Sequence, residues 1–259
     1  MEQEHRVKEE GQDKAQHVTA ALVIIGNEIL SGRTSDKNIA FIATMLDDYG
    51  ILLREVRVIA DDERAIIQHI NSLRFVYDYV ITTGGIGPTH DDRTSCAVAK
   101  AFLVPLCCHE EALARLKKHY GEALNDARKK MAFIPRGGVL IDNPISHAPG
   151  YHIGNVMVLA GVPEIMQAML KGAMMRLRRG KPLCSLSLLC RRAEGDIAEA
   201  LAHVQSLYED IDIGSYPWFS SKGLGVNIVL RGDDAVRVRH ASDKIKGALE
   251  AVGIDIQMV

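Results

Sequence analysis

The chain has no excess of charge of either sign: 31 lysines and arginines stand against 33 aspartates and glutamates, a net charge of −2. Nucleic acid, whose binding needs a clustered positive surplus, is therefore not an expected partner. No apolar run approaches the roughly 18 residues of a membrane span. Residues 1–17 are polar and mixed in charge, without the apolar core of a secretion signal. The expectation is a cytoplasmic protein with no membrane partner and a disordered tail over residues 1–17. Cysteines at metal-binding or redox spacing are also missing. Cys96, Cys107, Cys108, Cys184 and Cys190 are odd in number and include no C-x-x-C pair, so neither a disulfide framework nor a zinc site is expected. What is present is ordinary globular composition, 47% hydrophobic and 25% charged, with length for one large or two modest domains.

From residue 19 onward, apolar strands alternate with amphipathic helices. Residues 20–25 form a buried strand. Ile39, Ile42, Leu46 and Tyr49 then mark one face of a helix that begins near Asp36 and stops at Gly50. A second strand covers residues 51–60, and Ile66, Ile67, Ile70 and Leu73 line a helix over 63–75. Residues 79–83 form a central strand. Residues 109–131 predict a long polar helix or helix pair with Leu113, Leu116, Tyr120 and Leu124 as its stripe. Residues 155–160 predict another strand, and Pro163 suits the first turn of a helix reaching about residue 176. Repeated βαβα units imply a mostly parallel sheet with helices on both faces, a three-layer α/β/α domain over residues 18–176.

Residues 177–182, Leu-Arg-Arg-Gly-Lys-Pro, have the composition of a solvated linker. The βαββαβ order over 183–259 is that of a small ferredoxin-like α+β domain. That fold hosts many functions, so interaction or dimerisation is the expectation for it. Trp218 is expected to pack at a strand end in preference to serving as a binding platform.

The stretch Gly84-Gly85-Ile86-Gly87-Pro88-Thr89-His90-Asp91-Asp92 joins the central strand to a helix. Open α/β sheets bind ligands at this end of a strand. Glycines let backbone amides approach a ligand, and the helix start favours negative charge. Two aspartates would repel a bare phosphate, so a phosphate here implies a divalent cation between them. Equally open is a structural account in which Thr89 caps the helix and both aspartates complement its dipole. The loop Gly26-Asn27-Glu28, leading on to Asn38, opens at the same sheet edge, and Glu28, Asp61, Asp91 and Asp92 are expected to converge there. A hydrogen bond accepted by Glu28 from a loop backbone amide is as compatible as a ligand role, and Ser35 or Asp36 suits a helix cap.

Gly26-x-Glu28-Ile29-Leu30, Asn38, Gly84-Gly85-Ile86-Gly87-Pro88-Thr89-x-Asp91-Asp92-x-Thr94, Ala148-Pro149-Gly150 and Gly161-Val162-Pro163-Glu164 follow one another in order. Together they resemble the molybdopterin-binding domain of the molybdenum cofactor biosynthesis superfamily. The nearest branch is the N-terminal domain of competence/damage-inducible protein A and the similar domain of eukaryotic FAD synthase. The resemblance covers roughly residues 19–175, and residues 183–259 resemble the small domain that follows. The amidase and FAD-synthesising domains of longer members are not matched, so those activities are not expected here.

This resemblance implies a divalent-metal-dependent hydrolase of nucleotide pyrophosphates such as ADP-ribose or FAD, with Mg²⁺, Mn²⁺ or Co²⁺ as cofactor. By motif, Asp91 and Asp92 become metal ligands or catalytic acids, and Asp61 a further catalytic acid. Gly84, Gly85, Gly87 and Thr89 become a phosphate cradle. Gly26, Asn27, Glu28, Asn38, Thr94, Gly161, Pro163 and Glu164 become ligand-binding positions. A non-catalytic binder of molybdopterin or nucleotide is the alternative, and a molybdopterin adenylyltransferase the third. A homodimer or trimer is implied as well. One position departs from the pattern: Ala160 stands where proline is usual.

Overall fold

In a computed structural model, which describes residues 17–221 and 223–259, the chain divides between Gly180 and Lys181 into two units. The tail expected over 1–17 lies outside the described residues, apart from His17. The first unit begins with β1 (Val18–Ile25), α1 (Asn27–Leu30), α2 (Asn38–Asp48), β2 (Ile51–Ile59), α3 (Glu63–Arg74), β3 (Tyr79–Thr83) and α4 (Thr94–Ala101). It continues with β4 (Leu106–Cys108), α5 (Glu110–Tyr120), α6 (Asp126–Lys129), β5 (Phe133–Pro135), β6 (Val139–Ile141), β7 (Gly150–Ile153), β8 (Val156–Leu159) and α7 (Pro163–Met174).

Burial on both faces explains why β1 is a continuous apolar run with no alternation. Ala21, Val23 and Ile25 pack with residues of α3, α4 and α5, while Ala20, Leu22 and Ile24 pack with α2 and α7. The six-stranded sheet runs β2-β1-β3-β8-β7-β6. β2, β1, β3 and β8 are mutually parallel, and β7 and β6 close the sheet as antiparallel strands. The expected three-layer α/β/α architecture is present, with this antiparallel edge added. Four parallel strands bring the loops after β1, β2, β3 and β8 to one edge. The reversal at β7 brings the segment preceding Gly150 to the same edge.

The long helix expected over 109–131 is interrupted. α5 stops at Tyr120 because Gly121 takes a positive φ of 52° that a side chain would resist. A short turn follows, and Asn125 caps α6 by accepting the Arg128 amide at 2.9 Å. Residues 177–180 are docked on the first unit. Arg178 donates to Asp78 at 2.9 Å, its amide to the Tyr79 hydroxyl at 2.9 Å, and the Gly180 amide to the Tyr49 carbonyl at 3.0 Å. Two of the basic residues that suggested a free linker thus have partners in the first unit, Arg178 on Asp78 and Tyr79 and Arg179 over the Tyr49 ring.

In the second unit β9 (Cys184–Cys190), α8 (Glu194–Leu207), β10 (Asp212–Ser220), β11 (Gly223–Gly232), α9 (Ala235–Glu250) and β12 (Ile256–Met258) keep the βαββαβ order. The sheet runs β10-β11-β9-β12, each neighbouring pair antiparallel, and the core lies between sheet and helices. Trp218 lies within β10 with its ring against Gly225 of β11, a packing role on the strand. Among the described residues no helix is long and apolar enough to cross a membrane.

Candidate functional site

The glycine loop after β3 is fixed from inside by two side chains. Asp92 accepts the Gly87 amide on Oδ1 at 2.7 Å. On Oδ2 it accepts the Thr89 amide at 2.8 Å and the Thr89 hydroxyl at 2.6 Å. An ionised carboxylate has about four lone-pair sites, so three are occupied by its own loop and one, on Oδ1, is left. Thr94, fully buried, donates its amide to the Gly85 carbonyl and its hydroxyl to the Gly84 carbonyl, both at 3.0 Å. Gly84 and Gly85 have φ of 103° and 67°. A Cβ on Gly84 would meet the Ile25 carbonyl, and one on Gly85 the Thr94 hydroxyl. Both steric room and backbone sign therefore require glycine there. Thr89 does not cap α4, whose first turn follows Arg93 with no side-chain cap; its partner is Asp92.

These bonds decide which amides can meet a ligand. Gly84 donates to the Leu159 carbonyl at 3.1 Å and Gly87 to Asp92. Among the described residues, the amides of Gly85 and Ile86 have no acceptor. Of the residues expected to cradle a phosphate, Gly84, Gly87 and Thr89 have their amides engaged within the fold, while the Gly85 amide is open and that of Ile86 joins it.

The loop borders a cleft of about 420 Å³, within the range of small-molecule sites. Glu28, Asp61, Asp91 and Asp92 all line it, so the four expected acids do converge. Asp61 also joins two loops, its Oδ2 accepting the Asn27 amide at 2.8 Å. The Glu28 carboxylate folds back over Gly26, where a Cβ would lie 2.5 Å from its Oε1. The Thr89 hydroxyl and its own amide hold the Asp91 carboxyl below the usual carboxylate range, with an exposed setting offering little opposition. That hydroxyl has a single proton, and its hydrogen bond in the structure goes to Asp92 at 2.6 Å.

The other wall comes from residues that local pattern did not single out. Arg128 and Tyr120 line the cleft, the guanidinium stacked 4.6 Å from the ring centroid and hydrogen-bonded to the Ala123 carbonyl. Asn143, 1% exposed, shapes the adjoining turn. It accepts the Ile145 and Ser146 amides and donates to the Ala148 carbonyl at 2.8 Å. The break at Gly121 and the cap at Asn125 are the sequence signals that place Arg128 on a separate short helix.

Of the remaining expected positions, Gly161 lines the cleft, while Gly26, Asn27, Asn38, Thr89, Thr94, Pro163 and Glu164 are not among its lining residues. Asn38 is buried and donates to the Gly161 carbonyl at 3.0 Å, tying α2 to the loop after β8; its Oδ1 has no partner among the described residues. Asp36 caps α2 by accepting the Asn38 and Ile39 amides. Pro163 opens α7 and Glu164 lies in its first turn. Ala160 lines the cleft, so the departure from proline alters its wall. No three His, Cys, Asp or Glu side chains among the described residues gather closely enough to hold a metal unaided.

Residues 21–179 match a family model described as the probable molybdopterin binding domain, and residues 182–257 match the FAD synthase middle domain. A Pyrococcus furiosus protein is 33% identical over 244 residues, covering 88% of this chain and 96% of its own length. A probable FAD synthase of Caenorhabditis elegans is 33% identical over 80% of this chain. The match takes in 45% of that relative, so the chain spans less than half of it. Among solved structures, the protein CinA of Thermoplasma acidophilum, of unknown function, superimposes with a TM-score of 0.58 at 41% identity. That match covers 62% of this chain and 97% of the other.

Proposed function

Since the chain belongs to the probable molybdopterin binding domain family, we propose that its cleft binds a phosphorylated ligand of nucleotide or pterin type. With a divalent cation, it then hydrolyses a nucleotide pyrophosphate such as ADP-ribose or FAD. One observation carries the reading: unlike groups share a single cleft. The unpaired Gly85 and Ile86 amides and Arg128 border it together with the carboxylates of Glu28, Asp61 and Asp91. Amides and a guanidinium suit phosphate oxygens. Carboxylates repel them unless a cation intervenes.

The donor set fits a cation shared with the ligand and does not form an all-protein cage, since Mg²⁺ is often held by one or two carboxylates plus phosphate oxygens. Such an ion supplies charge neutralisation and a more acidic water. The chain's own groups hold the pyrophosphate on the glycine loop and accept the proton of the attacking water. The water oxygen bonds to one phosphorus as the bridging P–O bond breaks, and the leaving phosphate departs with that bond's electrons. Asp91, held ionised below the usual range, suits the cation better than the proton. Asp61, with Oδ1 not engaged by Asn27, is assigned the proton.

The test is chromatographic: full-length chain, ADP-ribose or FAD, and Mg²⁺, Mn²⁺ or Co²⁺, assayed for AMP. AMP formation abolished in Asp61→Asn supports the assignment. No AMP with any metal removes the hydrolase reading. A second reading, binding without chemistry, is favoured by Asp92, three of whose lone-pair sites serve its own loop. Micromolar affinity for ADP-ribose or molybdopterin by calorimetry, with no product, supports it. Assembly as a dimer or trimer belongs to the same proposal, and light scattering showing a monomer at micromolar concentration removes it.

A further inference from the structure

On the α4 side of the glycine loop lies a second cavity of about 250 Å³. It shares Gly85, Ile86, Gly87, Asp92 and Met131 with the main cleft, so the loop is a low partition between the two. Its remaining walls differ in chemistry. Leu106, Phe133, Ile134 and Pro149 make them largely apolar, and the deepest polar group is Tyr151 of β7. Tyr151 is 1% exposed, and its hydroxyl has no partner in hydrogen-bonding geometry among the described residues, although Ser95 faces it. Buried hydroxyls are nearly always matched. An unmatched one lining a cavity offers its proton to whatever polar atom enters that cavity. Burial pushes its pKa far up, so the hydroxyl remains a donor at any working pH.

Size narrows the occupant. At ~30 Å³ per water the cavity holds roughly eight waters, too little for a nucleotide and enough for one bicyclic ring. Beside its apolar wall the main cleft carries Glu28, Asp61, Asp91, Asp92 and Arg128, whereas the second cavity is lined by one carboxylate, Asp92, and one lysine, Lys130. The segment above the loop follows the same division, Arg128 lining the main cleft and Lys130 the second cavity.

We infer that the second cavity receives the uncharged, purine-sized heterocycle of the ligand whose phosphate lies on the glycine loop, with the Tyr151 hydroxyl donating to a ring acceptor. This rests on the nucleotide reading of the main cleft. Isoleucine methyl groups separate the two claims. Ile25 and Ile165 line the main cleft alone, and Ile134 the second cavity alone. The full chain, labelled at isoleucine δ1 methyls, is titrated with AMP and with ribose 5-phosphate and followed by NMR.

AMP should shift Ile134 as well as Ile165, and ribose 5-phosphate should shift Ile165 only. AMP shifting Ile25 or Ile165 but not Ile134 overturns the inference and leaves the nucleotide reading standing. Ribose 5-phosphate shifting Ile134 also overturns it, by placing sugar phosphate there. No shift with either compound overturns the nucleotide reading and this inference together. Tyr151→Phe keeps the ring and removes the orphan hydroxyl. The variant should bind AMP about tenfold more weakly, bind ribose 5-phosphate unchanged, and unfold at no lower a temperature than the parent. A structural hydroxyl would instead lower the unfolding temperature and leave AMP affinity alone.

Discussion

Replacing Asp92 with asparagine tests whether this carboxylate serves the loop before it serves any ligand. Asparagine keeps one acceptor oxygen. If that oxygen keeps the two Thr89 donors, the Gly87 amide, 2.7 Å from Oδ1, faces an NH₂ group; the reverse orientation abandons both Thr89 donors. At least one hydrogen bond to a charged acceptor is lost, worth about 1.5–3 kcal/mol in general. Water can reach this half-buried side chain and replace part of that, so about 1.4 kcal/mol is the working value, a tenfold change in the loop's opening equilibrium. The assay is amide hydrogen exchange at Gly87 and Thr89 with no metal or ligand present. Protection of both amides should fall roughly tenfold. Thr89→Val removes only the hydroxyl bond and should produce a smaller loss. Unchanged protection in Asp92→Asn, with metal-dependent turnover abolished, would refute the reasoning and make Asp92 a ligand first.

Gly84→Ala should destabilise the protein by at least about 2 kcal/mol, because the left-handed backbone penalty adds to an overlap with the Ile25 carbonyl. Gly161→Ala, whose Cβ would lie 3.2 Å from Gly84 Cα with no positive φ to sustain, should cost less than about 1 kcal/mol; urea denaturation of both checks the order. Arg128→Ala should weaken binding of ADP-ribose about tenfold by calorimetry, with Arg128→Lys intermediate because one point charge replaces a fork of donors. Hydrogen bonds from Arg57 and then Tyr77 hold the Glu55 carboxyl below its usual value. Its folded pKa is lower than its unfolded one, so the stabilisation is complete above about pH 4.3 and disappears as pH falls through the folded value. Glu55 is 34% exposed, which limits the effect to about 1 kcal/mol or less. The stability gap between the parent and Glu55→Gln should be wider at pH 7 than at pH 3; an equal gap at both would contradict the assignment.

The parallel half of the sheet is legible in sequence because its strands are buried on two faces and carry uninterrupted apolar runs, as Ala20 to Ile25 do. Pro163 at the start of α7 and Gly50 after α2 are equally direct, since each residue's backbone limits what can follow. β6 and β7, three and four residues long, are too short for a period-two pattern to emerge; β7 is placed by pairing with β8, and β6 by pairing with β7. The acids of the site are legible through their loops, and their meeting follows from parallel topology. The wall opposite them is not. Tyr120 looks like one more member of an apolar stripe and Arg128 like a charge on a solvated helix, until the chain breaks at Gly121 and turns both toward the glycine loop. Which loop amides are free was also hidden, because it depends on hydrogen bonds that the amides donate to Asp92 and to the Leu159 carbonyl.

Strand order has a consequence during synthesis. β1, β2 and β3 are consecutive in the sequence and bring Glu28, Asp61 and the glycine loop together within the first hundred residues. Their neighbour β8 is made much later, Val80 waiting for Val156. Until then, a nascent chain leaving the ribosome presents the edge of β3, four of whose five residues are buried in the finished protein. Such an edge is open to pairing with another chain. A chain stalled before Val156 holds its acids and its glycine loop but not the Gly161 wall, and chaperone capture should peak over that interval and end once β8 has docked.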